Sequence, residues 1–241
     1  MPKDYDQITA IHYAAYRPLL HAEILKHHFS GPVIFELGLD VGCGTGQSSL
    51  ALSYYCKKVF GIDPSKQMLA RAINAPKVTY QYMQSNKLNF NDELFDVITF
   101  AGSLYYAKSQ SLLKEIVRVS KPEGQILVYD FEIMMDGVID LFELENNIKR
   151  ESEYDHQTNF TGLETSFIKL MGTSINEYDF KVTIEDLTHL LLSVKNNYTL
   201  FRQTFEANLY DKIKEKLYIL LKSETTTLKA RTYSTHYSVL K

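Results

Sequence analysis

Apolar positions along the chain fall into two rhythms that alternate. Between residues 5 and 29, Ile8, Ile11, Ala15, Leu19, Leu20, Ile24 and Leu25 recur at roughly helical spacing. Pro18 interrupts this run, because the residue before a proline is pushed out of helical backbone. Val33 to Leu39 then predicts a strand, Ser48 to Cys56 a helix, Val59 to Asp63 a second strand and Val78 to Met83 a third. Phe95 to Phe100 predicts a fourth strand. Leu112, Leu113, Ile116, Val117 and Val119 predict a helix, and Gln125 to Phe131 a fifth strand after the break at Lys121-Pro122-Glu123-Gly124. Strands alternating with helices indicate an α/β fold around a mostly parallel sheet with helices on both faces. The rhythm lapses over residues 132–178, where Ile139, Phe142 and Leu144 suggest helix and Glu151 to His156 is polar. That segment is expected to be a helical cap inserted between the fifth and sixth strands. Tyr178 to Thr183 predicts the sixth strand, Leu187 to Val194 and Leu209 to Leu221 two helices, and Thr232 to Leu240 a final strand.

Length and charge narrow the function classes. A chain of 241 residues with 45% hydrophobic positions can bury one sizeable core, and a single domain over residues 1–241 is expected. A net charge of -3 gives no basic excess, so a surface built to track a nucleic-acid backbone is not expected. The two cysteines, Cys43 and Cys56, make no disulfide framework and fit a reducing, cytoplasmic setting. The charged N-terminus lacks an apolar signal region, and no apolar run reaches membrane-spanning length. None of the seven histidines pairs with another at metal-ligand spacing beside an acid or cysteine, so no metal is expected.

The stretch with most chemical content is Leu39-Asp40-Val41-Gly42-Cys43-Gly44-Thr45-Gly46-Gln47. It reads as a strand end, a tight turn and a helix start. Gly42, Gly44 and Gly46 permit positive φ and let a ligand approach the backbone, while amides at the helix start favour negative charge. A dinucleotide fingerprint would place a third glycine where Gln47 stands, which argues against a nicotinamide-dependent oxidoreductase. Asp63 closes the second strand 23 residues after Asp40, the length of one strand–helix–strand unit. Its two oxygens can accept both hydroxyls of a ribose. Asp63-Pro64-Ser65 also reads as a helix start, and both roles can hold at once.

An acid followed by G-x-G-x-G resembles the first motif of class I methyltransferases that use S-adenosylmethionine, the small-molecule type that includes trans-aconitate methyltransferases. The resemblance covers the first 130 residues in family order: Asp40 to Gly46, Asp63, Phe95-Asp96, and Lys121 to Gly124, where Glu123 replaces one glycine. It implies a Rossmann-like seven-stranded sheet whose last strand is antiparallel. It also implies that Asp40, Gly42, Cys43, Gly44, Gly46 and Gln47 lie against the methionine half of the cofactor. Asp63 would then hold the ribose, with Pro64, Ser65 and Met68 flanking the adenine, though Met68 is also spaced as a core residue. Gln84 and Ser85 stand where relatives carry an acid for the adenine amino group, and a glutamine carbonyl can accept that bond. Arg17, in the Tyr-rich segment before Pro18, is either a partner for the cofactor carboxylate or a surface arginine. Ala101 and Gly102, at the carboxyl end of the fourth strand, should face the methyl group. Many relatives have His-Trp where this chain has Tyr105-Tyr106. Those tyrosines could close over the cofactor, orient the acceptor or act as a weak base, and Tyr106 reads most simply as an aromatic wall.

The resemblance divides the chain into N-terminal lid helices at 1–30, a cofactor-binding half at 31–131, the cap at 132–178 and closing elements at 179–241. It implies transfer of a methyl group to a small-molecule acceptor by in-line displacement. The alternatives are an RNA or protein methyltransferase and a non-catalytic module that only binds S-adenosylmethionine.

Overall fold

The computed structural model describes residues 11, 12, 15, 16, 18, 20–83, 87–144, 154–205 and 208–241. Among them run α1 (Leu20–His28), β1 (Phe35–Val41), α2 (Gln47–Leu52), β2 (Cys56–Asp63), α3 (Lys66–Leu69), β3 (Val78–Tyr82) and β4 (Phe95–Ala101). There follow α4 (Leu104–Ala107), α5 (Gln110–Val119), β5 (Ser120–Met134), α6 (Asp136–Asp140) and β6 (Ile168–Thr183). The chain closes with α7 (Ile184–Ser193), α8 (Lys195–Phe205), α9 (Leu209–Leu221) and β7 (Thr225–Val239). The seven strands lie in the order β3-β2-β1-β4-β5-β7-β6.

The first five strands are parallel to their neighbours, with Leu39 opposite Phe60 on β2 and opposite Ile98 on β4. The direction of β7 follows from its side-chain pairs. Ser234 meets Ser174 and Arg231 meets Glu177 on β6, while His236 meets Gln125 and Arg231 faces Glu132 on β5. Partner numbers fall as β7 numbers rise in both cases, so β7 runs antiparallel to both neighbours. The sheet is the Rossmann-like type expected, with six parallel strands and an antiparallel seventh.

By its contacts the chain divides into two compact units. One comprises residues 19–131, 154–176 and 232–241, the other residues 1–18, 132–153 and 177–231. In the first, a strand buried on both faces feeds two apolar clusters, which is why β1, β4 and β5 read as nearly continuous apolar runs. Leu39, Ile98 and Ile126 point to α5, with Leu112 and Ile116. Val97 and Leu127 point the other way, to Ile24 and Leu25 of α1 and Leu52 of α2. Asp96 ties the strand starts together, accepting Leu37 N–H at 2.8 Å and Lys121 Nζ at 2.7 Å. The second unit has its own cluster, in which Val182, Leu187, Leu191, Phe201, Ile213 and Leu217 meet.

Several expectations are corrected. Residues 20–28 are a core helix, not part of a lid, because Ile24, Leu25 and the adjoining Phe29 are buried. The break at Lys121 to Gly124 lies inside β5 as an irregularity. The register there slips from Phe95–Ser120 to Val97–Gln125, and Glu123 takes a left-handed φ of 60° where the family turn has glycine. In the segment 132–178, helix among the described residues is confined to Asp136–Asp140, and β6 begins at Ile168, ten residues before the expected strand. β6 is an edge strand whose first part, Lys169 to Thr173, is exposed on both faces, so that part carries no apolar alternation for a sequence reading to find. Helix α8, Lys195–Phe205, falls where the sequence pattern predicts no element.

A half-buried histidine packs against β7. His28 Nε2 lies 2.8 Å from Ser234 Oγ, and burial first, then His236 and His27, pushes its pKa down to about 4. The neutral form is therefore the one the fold favours. Its contribution is present above the unfolded value near 6.5 and is lost as pH falls toward 4. Discounted for the solvent that reaches it, the loss is roughly 1–2 kcal/mol. Urea midpoints measured at pH 7 and pH 4.5 should show that much extra loss in the native chain relative to His28→Gln. Equal pH dependence in the two would refute it.

Candidate functional site

The glycine turn forms where β1 ends, at the carboxyl edge of the sheet. Asp40 is fully buried beneath it. Its carboxylate accepts Ser48 Oγ and Ser49 Oγ, each at 2.6 Å, and Thr99 Oγ1 at 3.0 Å. Burial raises its pKa, and the three hydroxyls oppose that rise. Asp40 thus joins the start of α2 to β4 from below and presents no surface to a ligand, unlike the direct contact the resemblance implied.

The three glycines have separate reasons. Gly42 has φ +74°, and a Cβ there would strike Ser103 Cβ, whose hydroxyl donates to Val41 O. Gly46 has φ +87°, and its Cβ would collide with the phenol of Tyr80, reaching Cζ at 2.6 Å. Gly44, at φ +54°, meets only Met68 Cε at 3.6 Å. Two glycines therefore make room for protein, and only Gly44 leaves room beyond its backbone. The N–H groups of Gly42 and Cys43 end on Ile62 O, and that of Gly46 on Cys43 O.

Asp63 is drawn against this turn. Its Oδ2 accepts Gly44 N–H at 2.9 Å and its Oδ1 accepts Ser65 N–H at 2.7 Å. Ser65 in turn caps α3, its hydroxyl accepting Met68 N–H at 3.3 Å. The carboxylate so becomes one wall of the opening at Gly44, and its remaining lone pairs suffice for two further donors. Of the two roles foreseen for Asp63, the helix cap falls to Ser65 instead. Met68 is half-buried, Pro64 exposed, and Gln47 opens α2 half-buried. Cys43 is buried with its thiol turned toward Gly44 O at 3.9 Å, and burial pushes its pKa up, as burial pushes Cys56 up to about 12. Neither thiol is poised as a nucleophile. Arg17, Gln84 and Ser85 lie outside the described residues.

Ala101 and Gly102 end β4 beside the turn, and Ser103, packed on Gly42, links the two. Beyond them lies a small cleft, with room for about one water-sized group, lined by Gly102, Tyr105, Tyr129, Asp130, Tyr154 and His156 among others. Tyr105 and Tyr106 are exposed, stack edge-on with centroids 5.2 Å apart, and both meet Tyr154. Asp130 is the centre of this cleft. Its Oδ2 lies 2.8 Å from Tyr154 Oη and 2.9 Å from His156 Nδ1, and its Oδ1 accepts Phe131 N–H at 2.7 Å. Tyr154 Oη also lies 2.7 Å from Gly102 O. Sequence reasoning missed Asp130, Tyr154 and His156. Asp130 could have been found by the rule that pointed to Gly102, since it stands at the same edge of the next strand. Tyr154 and His156 sit in a stretch without periodicity and gave no signal.

Comparison with known proteins supplies the family. A family model described as a methyltransferase domain matches residues 39–128. Residues 39–128 are a methyltransferase domain. The methyltransferase domain thus holds the whole glycine turn, Asp63, β4 and most of β5. The uncharacterized methyltransferase YcgJ of Bacillus subtilis (strain 168) is 27% identical over 136 residues, 54% of this chain and 54% of that protein. The 2-methyl-6-phytyl-1,4-hydroquinone methyltransferase of Synechocystis is 32% identical over 158 residues, 62% of this chain and 49% of that protein. The chain spans about half the length of the curated relatives it matches. A solved structure from Anaeromyxobacter dehalogenans, provisionally classed as a type II methyltransferase, superposes with a TM-score of 0.65 at 18% identity. It covers 93% of this chain and 98% of that one, and confirms the fold of the methyltransferase domain and the elements around it.

Proposed function

We propose that this protein transfers a methyl group from S-adenosylmethionine to a small-molecule acceptor. The observation that carries the reading is the opening at Gly44. There a left-handed glycine, at which an added Cβ would meet only Met68 Cε within 4 Å, donates to a carboxylate fixed by two backbone amides. These residues fit the cofactor. Gly44 admits its methionine half against bare backbone, Asp63 takes the ribose hydroxyls, and Met68, Pro64 and Ser65 border the base. Asp40, Gly42 and Gly46 act through the turn they hold. When bound, the cofactor supplies a methyl group on a positively charged sulfur, already activated as a leaving group. The chain's task is then alignment, which can lower such a barrier by about 7–11 kcal/mol. The acceptor would enter from Gly102, Tyr105 and Tyr106. The hydroquinone named for the Synechocystis relative supports a small ring compound over a macromolecule, and so does a net charge of -3.

Isothermal calorimetry tests the reading. S-adenosylmethionine and S-adenosylhomocysteine should each bind once, with micromolar affinity. Asp63→Ala should weaken both at least tenfold, the equivalent of about 1.4 kcal/mol. If the native chain binds neither compound, the proposal is wrong.

A further inference from the structure

Strand β6 ends the sheet, so its outer edge has no neighbouring strand among the described residues. It runs for 16 residues, Ile168 to Thr183, without a proline. An edge of that length offers a row of unpaired N–H and C=O groups to another chain. Alternate side chains share a face of the strand. Lys169, Met171, Thr173, Ile175 and Glu177 therefore stand together, and all five are exposed. Met171 is 55% exposed and Ile175 58%. The order along this face is cation, apolar, hydroxyl, apolar, anion. Turned end for end about Thr173, the face meets its own complement.

The register can be tested on paper. Facing residues of an antiparallel pair must both turn their bonding groups toward the partner, so a two-fold axis between identical strands passes through a residue position. With the axis at Thr173, Lys169 faces Glu177 of the second copy, Met171 faces Ile175, and Thr173 faces its own copy. The first two pairs each occur twice. One residue further along, the axis would set Met171 against Glu177, and one residue back, Ile175 against Lys169. Two residues further along, Lys169 would face Lys181. Glu177 is already held at the surface, its Oε1 accepting Arg231 Nη2 at 2.8 Å and Nε at 3.1 Å, and its other oxygen can accept a lysine.

We infer that this protein forms a two-fold dimer in which β6 pairs edge to edge with β6 of a second copy, antiparallel, with the axis at Thr173. The inference goes beyond the methyl-transfer reading and does not depend on it. An edge lysine ordinarily guards a strand against pairing, but here the pairing supplies its counter-charge. Opposite charges and apolar neighbours directly across the strands each favour the pair. The edge is used up when two copies meet, so association closes at the dimer.

Sedimentation velocity of the full chain provides the test. The native chain should be dimeric at about 100 μM, where even an interface of micromolar Kd is filled. Lys169→Glu and Glu177→Lys should each weaken the dimer at least about tenfold, because each sets like charges opposite one another twice. Mixed in equal amounts, the two variants should recover the dimer, since every pair across the axis is again of opposite sign. Both positions are exposed, and urea transitions followed by circular dichroism should match the native chain. Thr173→Cys should cross-link two copies under mild oxidation, because the two Cα atoms at the axis lie within disulfide reach, whereas Lys181→Cys should not. Cys43 and Cys56 are buried and stay out of the reaction. A native chain that remains monomeric overturns the inference. So does a dimer that neither charge variant weakens, or a mixture of the two variants that stays monomeric.

Discussion

Asp40→Ala should unfold this protein at far lower urea than any surface substitution, with a loss of about 3–5 kcal/mol. The carboxylate is fully buried, and three hydroxyls, from Ser48, Ser49 and Thr99, converge on it from α2 and β4. Alanine would remove the acceptor and strand those donors, at about 1–3 kcal/mol for each that finds no other partner. Thr99 Oγ1 has a poor substitute in Leu39 O at 3.5 Å, so the total stays below the full sum. Against a typical stability of about 5–15 kcal/mol, that is a large share. Asp40→Asn separates charge from shape. It keeps the volume and one acceptor and should cost about 1–2 kcal/mol. Burial raises the Asp40 pKa, so its favourable share is present below the unfolded value near 3.8 and declines as pH rises through the folded one. The gap between native chain and Asp40→Asn should therefore narrow from pH 4 to pH 7. Circular dichroism against urea reads all three proteins, and an unchanged midpoint for Asp40→Ala would refute the role given to this residue.

That role shows what a sequence can and cannot carry. The acid before the glycines was legible as a feature, but its spacing said nothing of direction. Only the fold shows that Asp40 points down into Ser48, Ser49 and Thr99, whereas Asp63 comes up to Gly44. Strands β1, β4 and β5 were legible because burial on both faces makes them read as nearly unbroken apolar runs, and the edge strand β3 by its alternation. β6 was cut short because its first part, exposed on both faces, needs no apolar alternation. The cleft was half legible. Gly102 and Tyr105 follow a strand that any parallel sheet must end there, but His156 reaches Asp130 from 26 residues away, through a segment with no periodic pattern. Long-range partners of that kind leave no trace in spacing.

The alternate glycines, identical in sequence, should separate sharply in experiment. Gly46→Ala and Gly42→Ala should fail to accumulate as folded protein, or lose at least about 3 kcal/mol. At Gly46 the new methyl falls on the Tyr80 phenol, which donates to Ile73 O at 2.9 Å and whose pKa burial pushes up to about 12. Moving that ring would break its bond and open the packing over the start of α2. At Gly42 the methyl falls on Ser103, whose hydroxyl ties the end of β4 to Val41 O. Gly44 differs. A Cβ there makes an ordinary contact with Met68 Cε at 3.6 Å, so Gly44→Ala bears only the left-handed backbone penalty of about 1–2 kcal/mol. The variant should fold, but its methyl group would stand where the cofactor must lie against bare backbone. We therefore expect S-adenosylmethionine to bind Gly44→Ala at least tenfold more weakly, and Gly44→Val to show no measurable binding while keeping a cooperative urea transition. Folding that survives at Gly46 would contradict the packing argument, and undiminished affinity in Gly44→Val would move the cofactor away from this turn altogether.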